Sequence, residues 1–447
     1  MRMKIAMLTN NYKPFLGGVP ISVERQAKEL VKLGHEVTVF APEYDGELPD
    51  GEDHFDENGI RILRYRTSAR CMENGMVYPR LILKEITKVF EEESFDLIHT
   101  HHPMFVGMTA LYLGRKYQLP VIYTYHTRYE DYLHYIGFLK PEGKGRILKR
   151  QLLKLGQNVV VPEFMRWFTN QCDLVLAPTA GMQKRIRENG TRTPMAVFPT
   201  GLEETFYQEH PKEAGEIRRK YMGGQQNVSG RTDGYMFCTA GRLEEEKNPH
   251  FLLKGIRKLK EKMDGTFFRV LLIGNGSMTE ELKAEAKELG IEEEIVFVGK
   301  VPNEKLNCYL QACDAFLFTS KSETQGIVLA EAFAAGLPVV AVEASGVEDI
   351  VENGVNGFRT AEDVEIWTDK ILEMLDKREA MSRRAKVTAA GYRSARLAMY
   401  EELLYRQCIA EKAKETSEAY EEEMDYEYKK DRTDNTAGGV FRIFKAS

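Results

Sequence analysis

The chain is 447 residues long, 43% hydrophobic and 29% charged, with a net charge of −6. That length is too great for one ordinary domain and suits two with separate cores, and the composition is that of a globular chain. No run approaches the roughly 18 apolar residues that a spanning helix needs, which argues against a helical membrane span.

The first ten residues hold only a short apolar stretch, Ile5 to Leu8, before a turn, which reads as a core strand and not as a signal peptide. From there short apolar runs alternate with helical periodicity, the pattern of βα units on a parallel sheet. Strands are predicted at 4–8, 36–41, 60–65, 96–100, 121–125, 174–177 and 195–198, with helices over 21–33, 80–93, 105–117 and 181–189. A second series follows, with strands at 235–240, 268–273, 295–298, 315–318 and 339–342 and helices over 249–262, 279–289, 304–312 and 327–335. The expected organisation is therefore an α/β protein of two Rossmann-like, doubly wound parallel-sheet domains, 1–200 and 201–390. A C-terminal helix that packs back on the first domain and a charged tail, 391–447, complete it. The polar stretch 223–234 reads as a surface loop. The segment after Glu411 lacks an apolar stripe and reads as a peripheral helix or a partly disordered tail. Six scattered cysteines form no CxxC pair and read as reduced thiols of a cytoplasmic protein.

Charge is unevenly spread. Residues 112–192 carry fourteen Lys/Arg against six Asp/Glu, whereas 411–432 carry nine acids against five bases. One face of the first half is expected to meet something anionic. No RNA- or DNA-binding module is visible, so nucleic acid is not the expected partner.

Two tandem sheets of this kind bring their strand C-termini to one cleft, where ligands of open α/β sheets bind. In the second domain, Arg242 and Lys247 flank a strand end and a helix start with Asn248 as N-cap and Pro249 as first helical residue. That suits a departing diphosphate, or equally an exposed basic pair beside three glutamates. Gly274 and Asn275 follow the next strand and permit close approach to a ligand, as in any tight turn. Glu323, Thr324, Gln325, Gly326, Ile327 and Glu331 form the most specific cluster. Eight helical positions rise about 12 Å, well beyond the roughly 5 Å between the carboxylates of a retaining glycosidase. Glu323 and Glu331 therefore serve different parts of one ligand: Glu323 the sugar, Glu331 a ribose, with the amides of Thr324 to Gly326 turned to phosphate. The turn Ala344-Ser345-Gly346-Val347 lines the same pocket or is an ordinary loop.

The pattern at 242–247, the E-x7-E pair at 323 and 331 and the run AFAAGLPVVA at 332–341 resemble glycosyltransferase family 4. The resemblance spans nearly the whole chain to about residue 410. It implies the GT-B fold and retaining chemistry, with Arg242 and Lys247 holding the diphosphate, Glu323 facing the donor sugar and Glu331 holding the ribose. It implies a nucleotide-sugar co-substrate, UDP-glucose being expected, with no bound cofactor and no metal. The loop containing Gly17 and Gly18, by the same resemblance, borders the diphosphate. Gly17-Gly18 is not a GxGxxG fingerprint, so a dinucleotide site is not expected.

His126 ends a predicted strand and so projects into the cleft, either as a backbone cap or, as the resemblance implies, near the donor sugar. The run around it, with Tyr129, Tyr132 and His134, resembles a segment of the α-glucosyltransferases that act on 1,2-diacylglycerol. Residues 140–155 carry six bases and one acid with leucines on one face. Lys144, Arg146, Lys149 and Arg150 thus belong to a basic amphipathic helix, which reads as a contact with an anionic membrane or as a surface helix packing its leucines inward. His99, His101 and His102 invite a metal reading, but alternation along a strand sends neighbours to opposite faces. The reading is a family 4 hexosyltransferase moving glucose to diacylglycerol, peripheral on the inner face of the membrane. The alternatives are another acceptor (a polysaccharide or phosphatidylinositol), a nucleotide-sugar 2-epimerase, or a sugar-nucleotide-binding protein without catalysis.

Overall fold

The computed structural model describes residues 2–15, 17–44, 54–71, 77–79, 83–129, 150–151, 154–223, 234–321 and 323–443. The described strands before residue 200 are β1 (Lys4–Leu8), β2 (Glu36–Pro42), β3 (His54–Phe55), β4 (Arg61–Tyr65), β5 (Thr67–Cys71), β6 (Val77–Pro79), β7 (Leu97–Thr100), β8 (Val121–Thr124), β9 (Leu174–Ala177) and β10 (Met195–Val197). Eight of them form one sheet in the order β10-β9-β8-β7-β1-β2-β4-β3, parallel except at the β3–β4 edge. β5 and β6 make a separate antiparallel ribbon. A second sheet, wholly parallel, is ordered β13-β12-β11-β14-β15-β16. Its strands are β11 (Tyr235–Ala240), β12 (Phe268–Ile273), β13 (Ile295–Gly299), β14 (Ala315–Phe318), β15 (Val339–Val342) and β16 (Gly357–Thr360).

The inner strands β7, β8, β9, β14 and β15 are buried along their whole length. Helices cover both faces of a parallel sheet, so its strands read as continuous apolar runs. Those runs are the ones that the sequence marks. The short strands β3, β5, β6 and β16 escape it: Gly357-Phe-Arg-Thr360 has one large apolar residue, and its place comes from pairing with β15 at the sheet edge.

The helix Ser394–Ile443 continues through the acidic stretch that shows no apolar stripe. Its first part is held by burial: Leu397, Leu404, Tyr405 and Cys408 enter the core formed by β1, β2 and the helix Gly18–Lys32. The lobes touch through Gly181 N–H donating to Asp349 Oδ1 at 2.9 Å and Arg128 donating to Ser345 Oγ at 3.3 Å. Cys172, Cys238, Cys308, Cys313 and Cys408 are free and buried. Among the described residues no helix is long and apolar enough to cross a membrane.

Candidate functional site

Strand order reverses at β1, which lies between β2 and β7, and at β11, which lies between β12 and β14. Loops leaving the C-terminal ends of those strands diverge and open a crevice. A cavity of about 280 Å³ lies there, walled by Gly18 from the first lobe and by Arg242, Lys247, Glu323, Ile327 and Val328, with several neighbours, from the second. Three helices begin on its wall, at Gly18, Pro249 and Ile327. The first N–H groups of a helix lack intrahelical partners and carry a partial positive charge. Three such ends beside two full cations make a site for a multiply charged anion.

Lys247 Nζ donates to Glu323 Oε1 at 2.6 Å, with both side chains largely buried. The pair is fixed from below. Thr319 Oγ1 donates to the Lys247 carbonyl at 3.0 Å, the Lys321 N–H to the Glu246 carbonyl at 3.1 Å, and Ser345 Oγ to the Glu323 carbonyl at 2.9 Å. Arg242 lies further out, half exposed, with Nη2 2.7 Å from Glu246 Oε1. Asn248 is not the side-chain N-cap that the sequence suggests. It sits in the left-handed region at φ 55°, and its amide donates to Glu362 at 2.9 Å.

Gly274 and Asn275 take another place. A Cβ on Gly274 would stand 1.9 Å from the Gly241 carbonyl oxygen, and one on Gly276 would stand 2.0 Å from that of Leu243. Leu243 N–H donates to the Asn275 carbonyl at 3.2 Å, and Ser277 Oγ to Glu244 at 2.6 Å. This loop is packed against the back of the segment carrying Arg242.

Thr324, Gln325 and Gly326 precede the helix; Gly326 turns the chain at φ 71°, and the amides that open the helix on the cavity are those of Ile327 and Val328. The Gln325 side chain clasps the segment between the lobes, accepting from Thr200 N–H at 2.7 Å and donating to its carbonyl at 3.1 Å. Glu331, one turn deeper than Ile327, is buried with Oε1 3.6 Å from Arg25 Nη2. Burial raises its carboxyl above the ordinary range, and Arg25 opposes that rise. Gly17 is in extended backbone, and a Cβ there would reach 3.3 Å from Phe15, whereas Gly18 has open space on the cavity side.

His126 follows β8 and is half-buried, with Nε2 2.9 Å from His101 Nδ1. Its ring stacks on that of His101 at 5.2 Å. Burial lowers His126, His99 and His102 to about 3 and puts His101 well below its usual value. These imidazoles are neutral at physiological pH, so His126 offers hydrogen bonds and no charge. Arg128, two residues on, reaches Ser345, which holds Glu323; the histidine end and the carboxylate end of the crevice are thereby joined. Tyr129 packs on the first-lobe core, where burial raises its phenol. Arg150 is exposed. Tyr132, His134, Lys144, Arg146 and Lys149 lie outside the described residues. Among the described residues no group of three or more His, Cys, Asp or Glu is placed to hold a metal ion.

Residues 16–206 match the family described as Glycosyltransferase Family 4, and residues 225–393 match Glycosyl transferases group 1. The chain belongs to glycosyltransferase family 4. It is 27% identical over 340 residues to an alpha-monoglucosyldiacylglycerol synthase of Streptococcus pneumoniae, covering 76% of this chain and 71% of that one. To the alpha-monoglucosyldiacylglycerol synthase of Acholeplasma laidlawii it is 26% identical over 370 residues, covering 80% and 84%. Among solved structures it resembles HepE of Anabaena in complex with UDP, with a TM-score of 0.66 at 18% identity, covering 91% of this chain and all of that one. The fold is thus GT-B, as the motif resemblance implies.

In this family 4 glycosyltransferase the structure adds residues that the sequence does not announce. Arg25 sits on the helix Gly18–Lys32, which is buried on two sides; a charged residue there reads as exposed until both neighbours are known. Thr239 and Thr319 join the cavity wall as strand exits, with no motif around them. Glu401 and Tyr405 reach His99 from more than 300 positions away, a contact that no local pattern encodes.

Proposed function

We propose that this family 4 glycosyltransferase is a hexosyltransferase that moves glucose from UDP-glucose to a hydroxyl of 1,2-diacylglycerol, with retained α configuration. The observation that carries the reading is the cavity onto which three helices and Lys247 all present positive charge. A sugar nucleotide has its two negative phosphates beside the bond that breaks. Charge that grows on the leaving diphosphate is met by cations worth on the order of 4 kcal/mol each at 4 Å and an effective dielectric of 20, before desolvation. In this reading Arg242 turns from Glu246 to the phosphates, and Lys247 and the amides of Ile327 and Val328 hold them. Glu323 takes hydroxyls of the sugar, Glu331 the ribose, and neutral His126 the sugar from the first-lobe side.

The bond from the anomeric carbon to the phosphate oxygen breaks with its electron pair going to phosphate. The acceptor oxygen bonds to the same face of the carbon, and its proton passes to the departing phosphate oxygen. No carboxylate is needed as nucleophile, in keeping with Glu323 already engaged by Lys247.

The acceptor reading is supported by the two glycolipid synthases among the relatives and by a surface of the first lobe. Leu155, Val159, Val160 and Trp167 are about half exposed along one helical stretch, with Arg150, Lys154 and Arg166 beside them. Apolar side chains rimmed by bases suit the boundary of an anionic membrane, and the basic segment 140–149 continues it in sequence. In this reading the enzyme works peripherally on the cytoplasmic face of the membrane.

The test is incubation with a panel of UDP-sugars and diacylglycerol vesicles, products read by mass spectrometry. Monoglucosyldiacylglycerol is the expected product. An epimerised nucleotide sugar formed without acceptor, or transfer only to inositol lipids or glycans, would replace this reading. Neutralising Lys144, Arg146, Lys149 and Arg150 together should lower activity on anionic vesicles far more than on detergent-dispersed acceptor.

A further inference from the structure

The C-terminal helix inserts two polar side chains into the core of the first lobe. Glu401 and Tyr405 are both fully buried. Tyr405 donates its hydroxyl hydrogen to Glu401 Oε1 at 2.8 Å, and the Tyr405 hydroxyl oxygen itself lies 2.6 Å from His99 Nδ1. The other nitrogen of His99, Nε2, is 2.7 Å from Thr124 Oγ1 on β8. On the open face of the His99 ring lies His101, with centroids 4.2 Å apart, and His101 Nδ1 meets His126 Nε2 at 2.9 Å. Glu401 Oε2 and His101 Nε2 are buried without a hydrogen-bond partner among the described residues.

Such an arrangement is costly as mere packing. An unsatisfied buried polar atom keeps its full desolvation cost, and apolar residues of similar volume would fill the same space at least as stably. What the polar arrangement supplies is direction. A tyrosine hydroxyl at one nitrogen and a threonine hydroxyl at the other leave His99 one ring plane. His101 packs against that ring at a tilt of 35°, and this contact sets the line along which its Nδ1 addresses His126. Thr124 is also two residues before His126, so the same network fixes the backbone from which His126 projects.

We infer that Tyr405 and Glu401 are positioning residues for sugar transfer, fixing His99 and through it the orientation of the His101–His126 pair. The inference rests on the proposal that His126 faces the donor sugar. It assigns the C-terminal helix a part in the chemistry, because docking of that helix completes the support under the histidine.

The experiment compares Tyr405→Phe, Glu401→Leu, Glu401→Gln and His126→Ala in steady-state transfer from UDP-glucose to diacylglycerol. Thermal unfolding and ring-nitrogen NMR shifts of selectively ¹⁵N-labelled histidines are recorded alongside. Tyr405→Phe should lower kcat about tenfold, the scale of a displaced reacting geometry, with the donor KM within about twofold. The His126 ring shifts should move. Glu401→Leu should behave alike, whereas Glu401→Gln, which keeps an acceptor for Tyr405, should recover most of the rate. A folded Tyr405→Phe enzyme with parental kcat and unmoved His126 shifts overturns the inference. So does an equal loss in Glu401→Gln and Glu401→Leu, which marks a structural role. If Tyr405→Phe does not fold, the glutamate pair decides alone. Wild-type transfer by His126→Ala would instead remove the proposed role of His126 and the inference with it, whereas an inactive His126→Ala beside a normal Tyr405→Phe sinks the positioning role only.

Discussion

Arg25 and Glu331 belong to different lobes, yet their side chains meet at 3.6 Å with less than a tenth of either exposed. Arg25 Nη1 also donates to the Gly201 carbonyl at 3.0 Å, in the segment that joins the lobes, and its guanidinium lies over the Phe206 ring. One side chain thus ties the helix that opens at Gly18, the connecting segment and the carboxylate proposed to receive the ribose. At 3.6 Å from Glu331, Nη2 has no hydrogen-bond partner of normal length among the described residues, and charge attraction is the main tie between the two side chains.

Arg25→Met leaves Glu331 buried without its counter-charge, and breaking a buried pair costs about 3 kcal/mol at the low end of such measurements. Stability in urea should fall by that order, and the donor KM should rise. Arg25→Met with Glu331→Gln should cost less than the two single losses together, since neither charge is then stranded. Simple additivity in this cycle would show that the two residues do not interact.

Lys247 should matter more for rate than for donor affinity. It is held by Glu323 and by the loop contacts beneath it, so a point charge is poised where charge grows on the leaving group. Lys247→Met is expected to lower kcat about 10²–10³-fold, the range seen when one transition-state donor is removed. Glu323→Ala should nearly abolish turnover. A Lys247→Met enzyme that only weakens UDP binding would shift the role of this lysine to ground-state recognition.

Gly274 and Gly276 test a different kind of support. Their backbones lie so close to Gly241 and Leu243 that a methyl group would overlap a carbonyl oxygen, and Gly274 also needs φ 133°. Gly276→Ala should destabilise the second lobe by about 1–3 kcal/mol, as other overpacked sites do, and weaken UDP by displacing the segment of Arg242. Calorimetry with and without UDP would report both. Unchanged UDP affinity in a destabilised variant would separate the loop from the site.

What the sequence made legible follows from range. Apart from β3 and β16, the strands of both sheets and the residues around Lys247, Glu323 and Ile327 were readable because the signals are local: an apolar run, a glycine, a helix start. Arg25 was not, because its burial depends on a lobe more than 300 residues away closing over it. Gly274 carried a local signal that pointed to a turn near ligand, but the neighbour that requires a glycine there is the Gly241 carbonyl. Asn248 has the chemistry of a cap, but Glu362 from the far edge of the lobe takes its amide.

Buried titratable groups set the pH dependence of stability, and two groups act in opposite senses. Burial lifts the Glu401 carboxyl from an ordinary 4.5 to about 8. Between those values the unfolded chain releases a proton that the folded chain keeps, so the unfolded state binds fewer protons and stability falls as pH rises. His99, His102 and His126 are held near 3 against an ordinary 6.5, with His101 also well below. Their contribution is full above pH 6.5 and is lost as pH falls towards 3, because the unfolded chain takes up protons that the folded one refuses. Four histidines outweigh one glutamate where the windows overlap. Stability should therefore climb with pH to about 6.5 and then decline by at most about 1.4 kcal/mol per pH unit towards 8. Glu401→Gln removes the declining limb alone, so its Tm should exceed that of the parent by a margin that widens from pH 5 to pH 8. Parallel Tm curves for the two proteins would show that Glu401 ionises in the folded chain as it does in the unfolded one.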